Sequence, residues 1–269
     1  MGVDIAARLE MPSNGGIDTS DYDLSYISPS ALSGFRSCPY KWAVGRLKYP
    51  MLPQEAKHLD LGSIVHELLA RYYRVVDVKA PYKQRERTID EMFTDNPFLN
   101  SIEGLKTKTA DVIKGFKKFE KSRDSFFPVF TPDELEKTLV SGRYKCITDL
   151  YCRAGEFGID WKSSSVPALI QPSQPQDSFE SYFIQGAINV FLLNELGYPC
   201  KKFYFVGLVG CQVVECPIMG KGWVEKMTEE MLSDIKRGAY VRIPNRYCYS
   251  CPAQLRCSFL GKNIWEVLT

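Results

Sequence analysis

The sequence contains no apolar run long enough to cross a bilayer, and its first ten residues lack the hydrophobic core of a signal peptide. Its net charge is only +2, which is too small to indicate a polyanionic partner from the total charge alone. No internal repeat is evident. These absences predict a cytoplasmic protein that does not bind a membrane.

The composition is that of a globular protein with a sizeable core, since 45% of the 269 residues are hydrophobic and 25% are charged. Nine cysteines in a reducing compartment are more readily metal ligands or small buried side chains than disulfides, and their odd number agrees with that. Residues 1–25 lack helical or strand periodicity and are predicted to form a flexible tail.

Helix and strand patterns alternate along the chain, which predicts an α/β fold with a mixed sheet. The predicted helices cover residues 61–78, 106–124, 179–196 and 222–237, with short helical pieces after Ser28 and Cys38. The predicted strands cover residues 135–140, 143–152, 157–163, 203–209 and 211–216.

The central candidate site is a predicted β-hairpin whose arms are residues 143–152 and 157–163. Because side chains alternate along a strand, Asp160 and Lys162 are expected on the same face. Asp149 on the other arm is close enough to share a divalent cation with Asp160 if the register allows it. An Asp-x-Lys tripeptide is common by chance, so an ordinary solvated ion pair is the alternative.

His66 borders the apolar stripe of the helix at 61–78. Gly62 lies four residues earlier, and helical side chains lean towards the N-terminus, so the surface beside His66 is left uncrowded. That space suits a metal or a phosphate, although a single histidine is most often a satisfied, half-buried one. The other histidine, His58, is assigned to a polar loop without a comparable signal.

The helix at 106–124 has the most positive face in the chain, with seven basic residues against three acidic ones. A phosphate backbone would be attracted to such a face, although most basic helix faces are simply solvated. The residues predicted to point outwards are Lys114, Lys117, Lys118, Lys121 and Arg123.

Near the C-terminus, Cys248, Cys251 and Cys257 are close enough in sequence to converge on one ion or cluster. A tetrahedral thiolate site needs a fourth ligand. Cys38 is the best candidate, because Cys38-Pro39 repeats the local Cys251-Pro252 pattern and begins a helix. Spacing does not distinguish zinc from an iron–sulfur cluster, and unligated cysteines are a third alternative.

Taken in order, these motifs resemble the RecB-like branch of the PD-(D/E)XK nucleases, and within it the small Cas-four-type iron–sulfur exonucleases associated with CRISPR adaptation. The matching residues are Ile27-Ser-Pro-Ser-Ala-Leu, Cys38-Pro39, Gly62-Ser-Ile-Val-His-Glu, Thr148-Asp149, Ile159-Asp-Trp-Lys, Gln185, Cys248, Cys251 and Cys257. The chain departs from the pattern at Asn189, where the family usually has Tyr, and at Cys146, where many relatives have Gly.

The resemblance implies a restriction-endonuclease-like core and three groups of functional residues. The implied catalytic residues are Asp149, Asp160, Lys162 and Gln185. The implied ligands of Mg²⁺ or Mn²⁺ are His66, Asp149, Asp160 and the carbonyl of Trp161. The implied ligands of a 4Fe–4S cluster, favoured over zinc by the resemblance alone, are Cys38, Cys248, Cys251 and Cys257.

The predicted function is therefore a metal-dependent exonuclease that acts on single-stranded DNA or DNA ends, in repair, recombination or CRISPR spacer acquisition. The resemblance implies DNA and CRISPR integrase proteins as partners. One alternative is a DNA-binding adaptor on a nuclease scaffold with little cutting activity. Another is a zinc-binding α/β protein unrelated to nucleases.

Four segments are predicted from these assignments. They are the flexible tail at 1–25, a helical segment at 26–60 that supplies Cys38, a nuclease core at 61–220, and a C-terminal helix and cluster segment at 221–269. The cluster would join the two ends of the chain in a helical subdomain.

Overall fold

A computed structural model of the protein describes residues 24–46, 56–94, 106–166 and 177–243, together with Cys248, Cys251, Ala253 and Cys257. All but the last two residues of the predicted tail lie outside these ranges. None of the described helices combines the length and the hydropathy needed to cross a bilayer.

The chain forms two compact units, one from Glu55–Lys221 and the other from Met1–Gln54 with Gly222–Thr269. The second, smaller unit contains the described helices α1 (Pro29–Ser37), α2 (Pro39–Arg46) and α7 (Lys221–Lys236). The first residue of α7, Lys221, still belongs to the larger unit. Helix α1 begins as predicted, because Ser28 is its N-cap and the Ser28 hydroxyl accepts a hydrogen bond from the amide of Ala31.

The first unit contains a five-stranded mixed sheet, which confirms the predicted α/β fold with a mixed sheet. Its strands are β1 (Glu134–Ser141), β2 (Tyr144–Cys152), β3 (Phe157–Lys162), β4 (Lys202–Gly207) and β5 (Gln212–Cys216), and they are adjacent in that order. Neighbouring strands are antiparallel except for β3 and β4, which are parallel. A parallel pair needs a crossover, and helix α6 (Asp177–Glu195) lies within it.

Helices cover both faces of this sheet. The other helices of the unit are α3 (Ala56–Val75), α4 (Tyr82–Ile89), which continues into a π-helical turn at Asp90–Thr94, and α5 (Lys106–Phe126). Leu68 of α3 and Phe116 of α5 belong to the same buried cluster as Trp161 of β3. On the opposite face, α6 contacts β2 through Asn189, which accepts a hydrogen bond from Thr148.

This fold corrects two sequence predictions and adds one helix that the sequence pattern does not indicate. Helix α3 begins at Ala56, so His58 lies in a helix and not in a loop. Helix α4 was missed, because only Arg85 and Ile89 of its eight residues are buried and the apolar pattern is correspondingly weak. Arg123 was predicted to point outwards, but only 2% of it is exposed.

The burial of Arg123 is explained by an internal ion cluster around Glu120, which is fully buried. The Glu120 carboxylate accepts hydrogen bonds from the Tyr73 hydroxyl at 2.6 Å, from Arg85 Nε at 2.8 Å and from Arg123 Nη1 at 3.1 Å. Arg85 also donates to the carbonyl of Ala80. Since buried charges are tolerated only when paired, this cluster fixes α3, α4 and α5 to one another.

We expect Glu120→Gln to destabilise the protein by about 3–5 kcal/mol, because two buried guanidinium groups lose their counter-charge. Glu91→Gln is the control, since it removes an exposed ion pair to Arg87 and should cost less than about 1 kcal/mol. Urea unfolding measures both changes. Equal free energies of unfolding for the two variants would contradict this account of the core.

Candidate functional site

The predicted alternation along β3 places Asp160 and Lys162 on the face covered by α6. Lys162 Nζ lies 2.5 Å from Asp160 Oδ1 and also donates a hydrogen bond to Gln185 Oε1 at 2.9 Å. The Gln185 amide in turn donates to Asp160 Oδ2. Carboxylate, ammonium and amide therefore form a closed triangle, in which Gln185 from α6 orients both charged groups.

Asp149 lies where the alternation of side chains along β2 is interrupted. Thr148 hydrogen-bonds to Asn189 on the α6 face, whereas Leu150 belongs to the core on the α3 face. In a regular strand these two residues would face the same side. The Asp149 carboxylate points towards β3, where its Oδ2 accepts the main-chain N–H of Trp161 at 2.7 Å.

Three acidic residues occupy one row across the sheet at this point. Asp149 is one step beyond the Leu150–Ile159 pair, and this register places it opposite Asp160 on β3. On its other side the register places it opposite Glu136 of β1. Glu136 has a φ of 49°, in the left-handed region, and it does not pair with β2. The row crosses three strands.

His66 of α3 approaches this row from outside the sheet. Its Nδ1 lies 3.4 Å from Asp149 Oδ1 and 3.7 Å from Glu136 Oε1. One ligand atom from each of His66, Glu136 and Asp149 lies within 4.8 Å of the other two. Two carboxylates and one imidazole are a suitable donor set for a divalent cation, and the imidazole favours Mn²⁺ over Mg²⁺.

The electrostatics of the site reflect this crowding of carboxylates. Burial alone would lower the pKa of His66, but the carboxylates of Asp149 and Glu136, with a further contribution from Asp160, raise it to about 10. Burial and the nearby Asp149 charge raise the pKa of Asp160, although Lys162 opposes the shift. Burial acts to lower the pKa of Lys162, but the Asp160 carboxylate outweighs it and keeps the ammonium charged. A cation bound at His66 must displace a proton.

A cavity of about 650 Å³ opens beside His66. Its described lining consists of Gly62, Ser63, His66, Glu67, Ala70 and Arg74 from α3, with Glu136 and Ser163. Gly62 contributes no side chain there, and a Cβ at this position would lie 3.8 Å from the Ser163 hydroxyl. The space that the sequence predicts beside His66 is thus present, and it reaches the row of carboxylates through Glu136.

The two departures from the family pattern are in contact with each other. The Cys146 thiol donates to Asn189 Oδ1 at 3.3 Å, and the Thr148 hydroxyl donates to the same oxygen. Asn189 Nδ2 donates to the main-chain carbonyl of Gln185 at 2.9 Å. Asn189 therefore connects strand β2 to the turn of α6 that carries Gln185.

In the smaller unit, the four cysteines predicted as ligands come from both ends of the chain. Cys38, Cys251 and Cys257 pack against one small buried cluster formed by Tyr40, Val44 and Ala253. The main-chain amide of Cys251 donates to the carbonyl of Cys248 at 3.2 Å. Burial raises the pKa of Cys251, and the neighbouring thiols of Cys38 and Cys248 add to the shift, whereas Lys41 opposes it. None of the four forms a disulfide.

The remaining cysteines, apart from the half-buried Cys211, are buried in or beside strands.

The lysines predicted to bind DNA lie on α5 and have different surroundings. Lys114 and Lys121 are exposed, whereas Lys117 pairs with Asp90 and Lys118 donates to the carbonyl of Gly210. Their contact with DNA stays a prediction.

A family model of the PD-(D/E)XK nuclease superfamily matches residues 26–202, which is more than half of the chain. The chain belongs to this superfamily. This membership confirms the predicted superfamily, and PD-(D/E)XK nucleases use divalent metals, in agreement with the donor set around His66. Narrower membership of the Cas-four type stays a prediction.

A solved structure from Eubacterium rectale, described as a "Putative exonuclease", is similar with a TM-score of 0.47 and 13% sequence identity. The match covers 90% of this chain and 92% of that chain. A search of curated protein sequences finds no match.

Two residues at the cavity were not identified from the sequence, Glu136 and Arg74. Glu136 reaches the site through the β1–β2 register and a left-handed φ, neither of which the sequence pattern shows. Its only sequence signal is an acidic residue inside a strand that neighbours the hairpin. Arg74 is one basic residue at the end of a long helix, and only the position of His66 on the same helix links it to the site.

We expect Asp149→Asn and Glu136→Gln each to weaken Mn²⁺ binding by roughly tenfold or more, because cation affinity depends on the number of charged ligands. Both substitutions preserve size, and an amide oxygen at position 149 can still accept the Trp161 N–H. Electron paramagnetic resonance of free Mn²⁺ measures the affinity. The control is Glu215→Gln, an exposed carboxylate on β5 that should leave it unchanged. Unaltered affinity in both site variants would rule out this donor set.

Proposed function

We propose that the protein is a metal-dependent deoxyribonuclease that removes nucleotides from single-stranded DNA or from DNA ends. The observation that carries the proposal is the triangle of Asp160, Lys162 and Gln185 next to the donor set of His66, Glu136 and Asp149. An ordinary solvated Asp–Lys pair on a strand would not need hydrogen bonds from Gln185 on a helix packed against the sheet. Asp160 is only 3% exposed, and its charge acts on His66 across the site.

Phosphodiester hydrolysis requires neutralisation of the phosphate charge and an activated water. A divalent cation held by His66, Glu136, Asp149 and, by resemblance to the family, Asp160 and the Trp161 carbonyl would supply both when bound. The carboxylates provide hard oxygen ligands of the kind that Mg²⁺ and Mn²⁺ prefer. Asp149 is held in place for this duty by the Trp161 main-chain N–H.

Lys162 carries the second part of the chemistry. Its ammonium stays charged beside Asp160, so it is suited to donate to a non-bridging phosphate oxygen and stabilise the negative charge that develops there. The same ammonium can orient the attacking water. Gln185 keeps the Lys162 and Asp160 side chains in a fixed relation, which lowers the entropic cost of reaching the reactive geometry.

The size of the cavity supports a single strand as the substrate. At about 650 Å³ it is comparable to a pocket for one drug-sized ligand, a size that suits a short segment of one strand. A strand end would enter such a cavity more readily than an internal segment of a duplex. Exonuclease action in repair, recombination or CRISPR spacer acquisition is the role that the family resemblance suggests.

The proposal includes a 4Fe–4S cluster held by Cys38, Cys248, Cys251 and Cys257. Three of these cysteines pack against one small buried cluster of residues, although Cys38 is far from the others in sequence. Such a cluster would hold the two ends of the chain together, because the entropic cost of closing a long loop grows only slowly with its length.

We expect Lys162→Met to lower DNA cleavage by about a hundredfold or more, since one preorganised cationic donor to the developing charge is lost. Methionine retains the aliphatic part of the side chain. The assay is digestion of end-labelled single-stranded and double-stranded DNA with Mg²⁺ or Mn²⁺. The control is Lys202→Met, an exposed lysine on the adjacent strand β4, which should cleave normally.

Full cleavage by Lys162→Met would show that the triangle is not the active site. Wild-type protein that binds DNA without cutting it under any of these conditions would instead support a DNA-binding adaptor on the nuclease scaffold.

We expect anaerobically purified protein to show broad visible absorption and to contain about four iron atoms per chain. Cys251→Ala should lose this absorption and unfold at a lower temperature, because a ligand that ties the two ends together is removed. Cys211→Ala, at a half-buried cysteine that packs against the core of the other unit, should retain the colour. A colourless wild-type protein with one zinc ion per chain would contradict the cluster.

A further inference from the structure

The cavity extends along helix α3 away from the metal-binding residues. His66, Ala70 and Arg74 all line it, and they follow one another at intervals of four residues, along one row of the helix surface. At 1.5 Å per residue, Arg74 lies about 12 Å from His66 along the helix axis. Between them the row contains only the small side chain of Ala70. The cavity is thus elongated along α3, and His66 and Arg74 line it at different positions along its length.

Arg74 is the only lysine or arginine among the described residues that line this cavity. It is exposed, and within the described ranges no hydrogen bond, ion pair or aromatic ring engages its guanidinium group. Two carboxylates, Glu67 and Glu136, line the same cavity and would repel a polyanion. Among the described residues of the lining, Arg74 is therefore the one cationic side chain that no carboxylate engages, since His66 is paired with Asp149 and Glu136.

The distance suits a strand whose scissile phosphate is at the metal-binding residues. A span of about 12 Å corresponds to between three and four base steps of B-form DNA at 3.4 Å per step, and to fewer steps in an extended strand. The guanidinium group can bind a phosphate with two parallel hydrogen bonds, which fixes both the distance and the orientation of the strand.

We infer that Arg74 is the anchor for a phosphate two to four nucleotides away from the bond that is cut, so that the cavity along α3 is the channel for a single DNA strand. This inference rests on the proposed function and adds a subsite to it. Arg74 is a binding residue that acts away from the reacting atoms. It is expected to set the shortest strand that binds efficiently, and to leave the chemical step itself unchanged.

An arginine near the end of a helix also interacts favourably with the helix dipole, and this structural duty must be separated from phosphate binding. Arg71 provides the matched control. It lies in the same region of α3 and is also exposed, but it does not line the cavity. A loss that arises only from removing positive charge from this part of α3 should appear in Arg71→Ala as well as in Arg74→Ala, whereas a loss of helix stability should lower activity on a short and a long substrate alike.

The experiment compares wild type, Arg74→Ala and Arg71→Ala on two substrates with Mn²⁺. One is a single-stranded 12-mer, which is long enough to reach Arg74. The other is bis(p-nitrophenyl) phosphate, a small phosphodiester that is too short to do so. For Arg74→Ala we expect kcat/KM on the 12-mer to fall about tenfold, because a charge-assisted contact is lost, and hydrolysis of the small substrate to remain within twofold.

Binding of the 12-mer with Ca²⁺ in place of Mn²⁺ provides a second readout. The slope of log K against log salt concentration should become less steep by about 0.7 in Arg74→Ala, the value for one phosphate contact on a single strand. Arg71→Ala should match wild type in both experiments.

Arg74→Ala that equals Arg71→Ala on the 12-mer, or that loses activity equally on both substrates, would overturn the inference. If wild type hydrolyses neither substrate, the proposed function itself fails, and this outcome is distinct from the other two.

Discussion

The site depends on two acidic side chains, Asp149 and Asp160, that lie opposite each other in the sheet and are both almost fully buried. Buried carboxylates are costly unless each is compensated by opposite charge or by hydrogen bonds. Asp160 is compensated by Lys162 and Gln185, and Asp149 by the Trp161 N–H and the imidazole of His66. The side chains that compensate the buried carboxylates, Lys162, Gln185 and His66, are the same side chains that the proposed reaction uses. A bound divalent cation would relieve the remaining repulsion, so cation binding and stability of the site are linked.

The sheet brings these groups together by being irregular at one place. Strand β2 pairs with both β1 and β3 without an inserted residue. Even so, Thr148 and Leu150, which precede and follow Asp149, face opposite sides of the sheet. The left-handed φ of Glu136 occurs at the same level. A regular β2 would direct the Asp149 carboxylate to one face of the sheet, whereas the interruption directs it towards the Trp161 N–H of β3 and the imidazole of His66. Backbone conformations of this kind are retained where the surrounding structure determines them, and they are common at functional sites.

Much of this arrangement follows from simple periodicity. The alternation of side chains predicts that Asp160 and Lys162 share a face, and the apolar spacing of α3 predicts that His66 lies at its border with space beside it. The sequence predicts that β1 neighbours the hairpin, but it does not predict the register of the β1–β2 pair. Glu136 therefore cannot be identified as a site residue from the sequence. Arg123 shows the same limit, because the sequence pattern placed it on the basic face and only the buried carboxylate of Glu120, contributed by the same helix, explains its position. Sequence patterns predict the faces of single elements, whereas pairing between elements depends on register and on charges that meet after folding.

Cys146 and Asn189, the two departures from the pattern that the chain resembles, are in contact with each other. Asn189 uses its carbonyl oxygen for Thr148 and Cys146 and its amide for the Gln185 carbonyl, so β2 and the Gln185 turn of α6 remain joined. This connection holds the helix that carries Gln185 beside the strand that carries Asp149, in a position from which Gln185 reaches both Asp160 and Lys162.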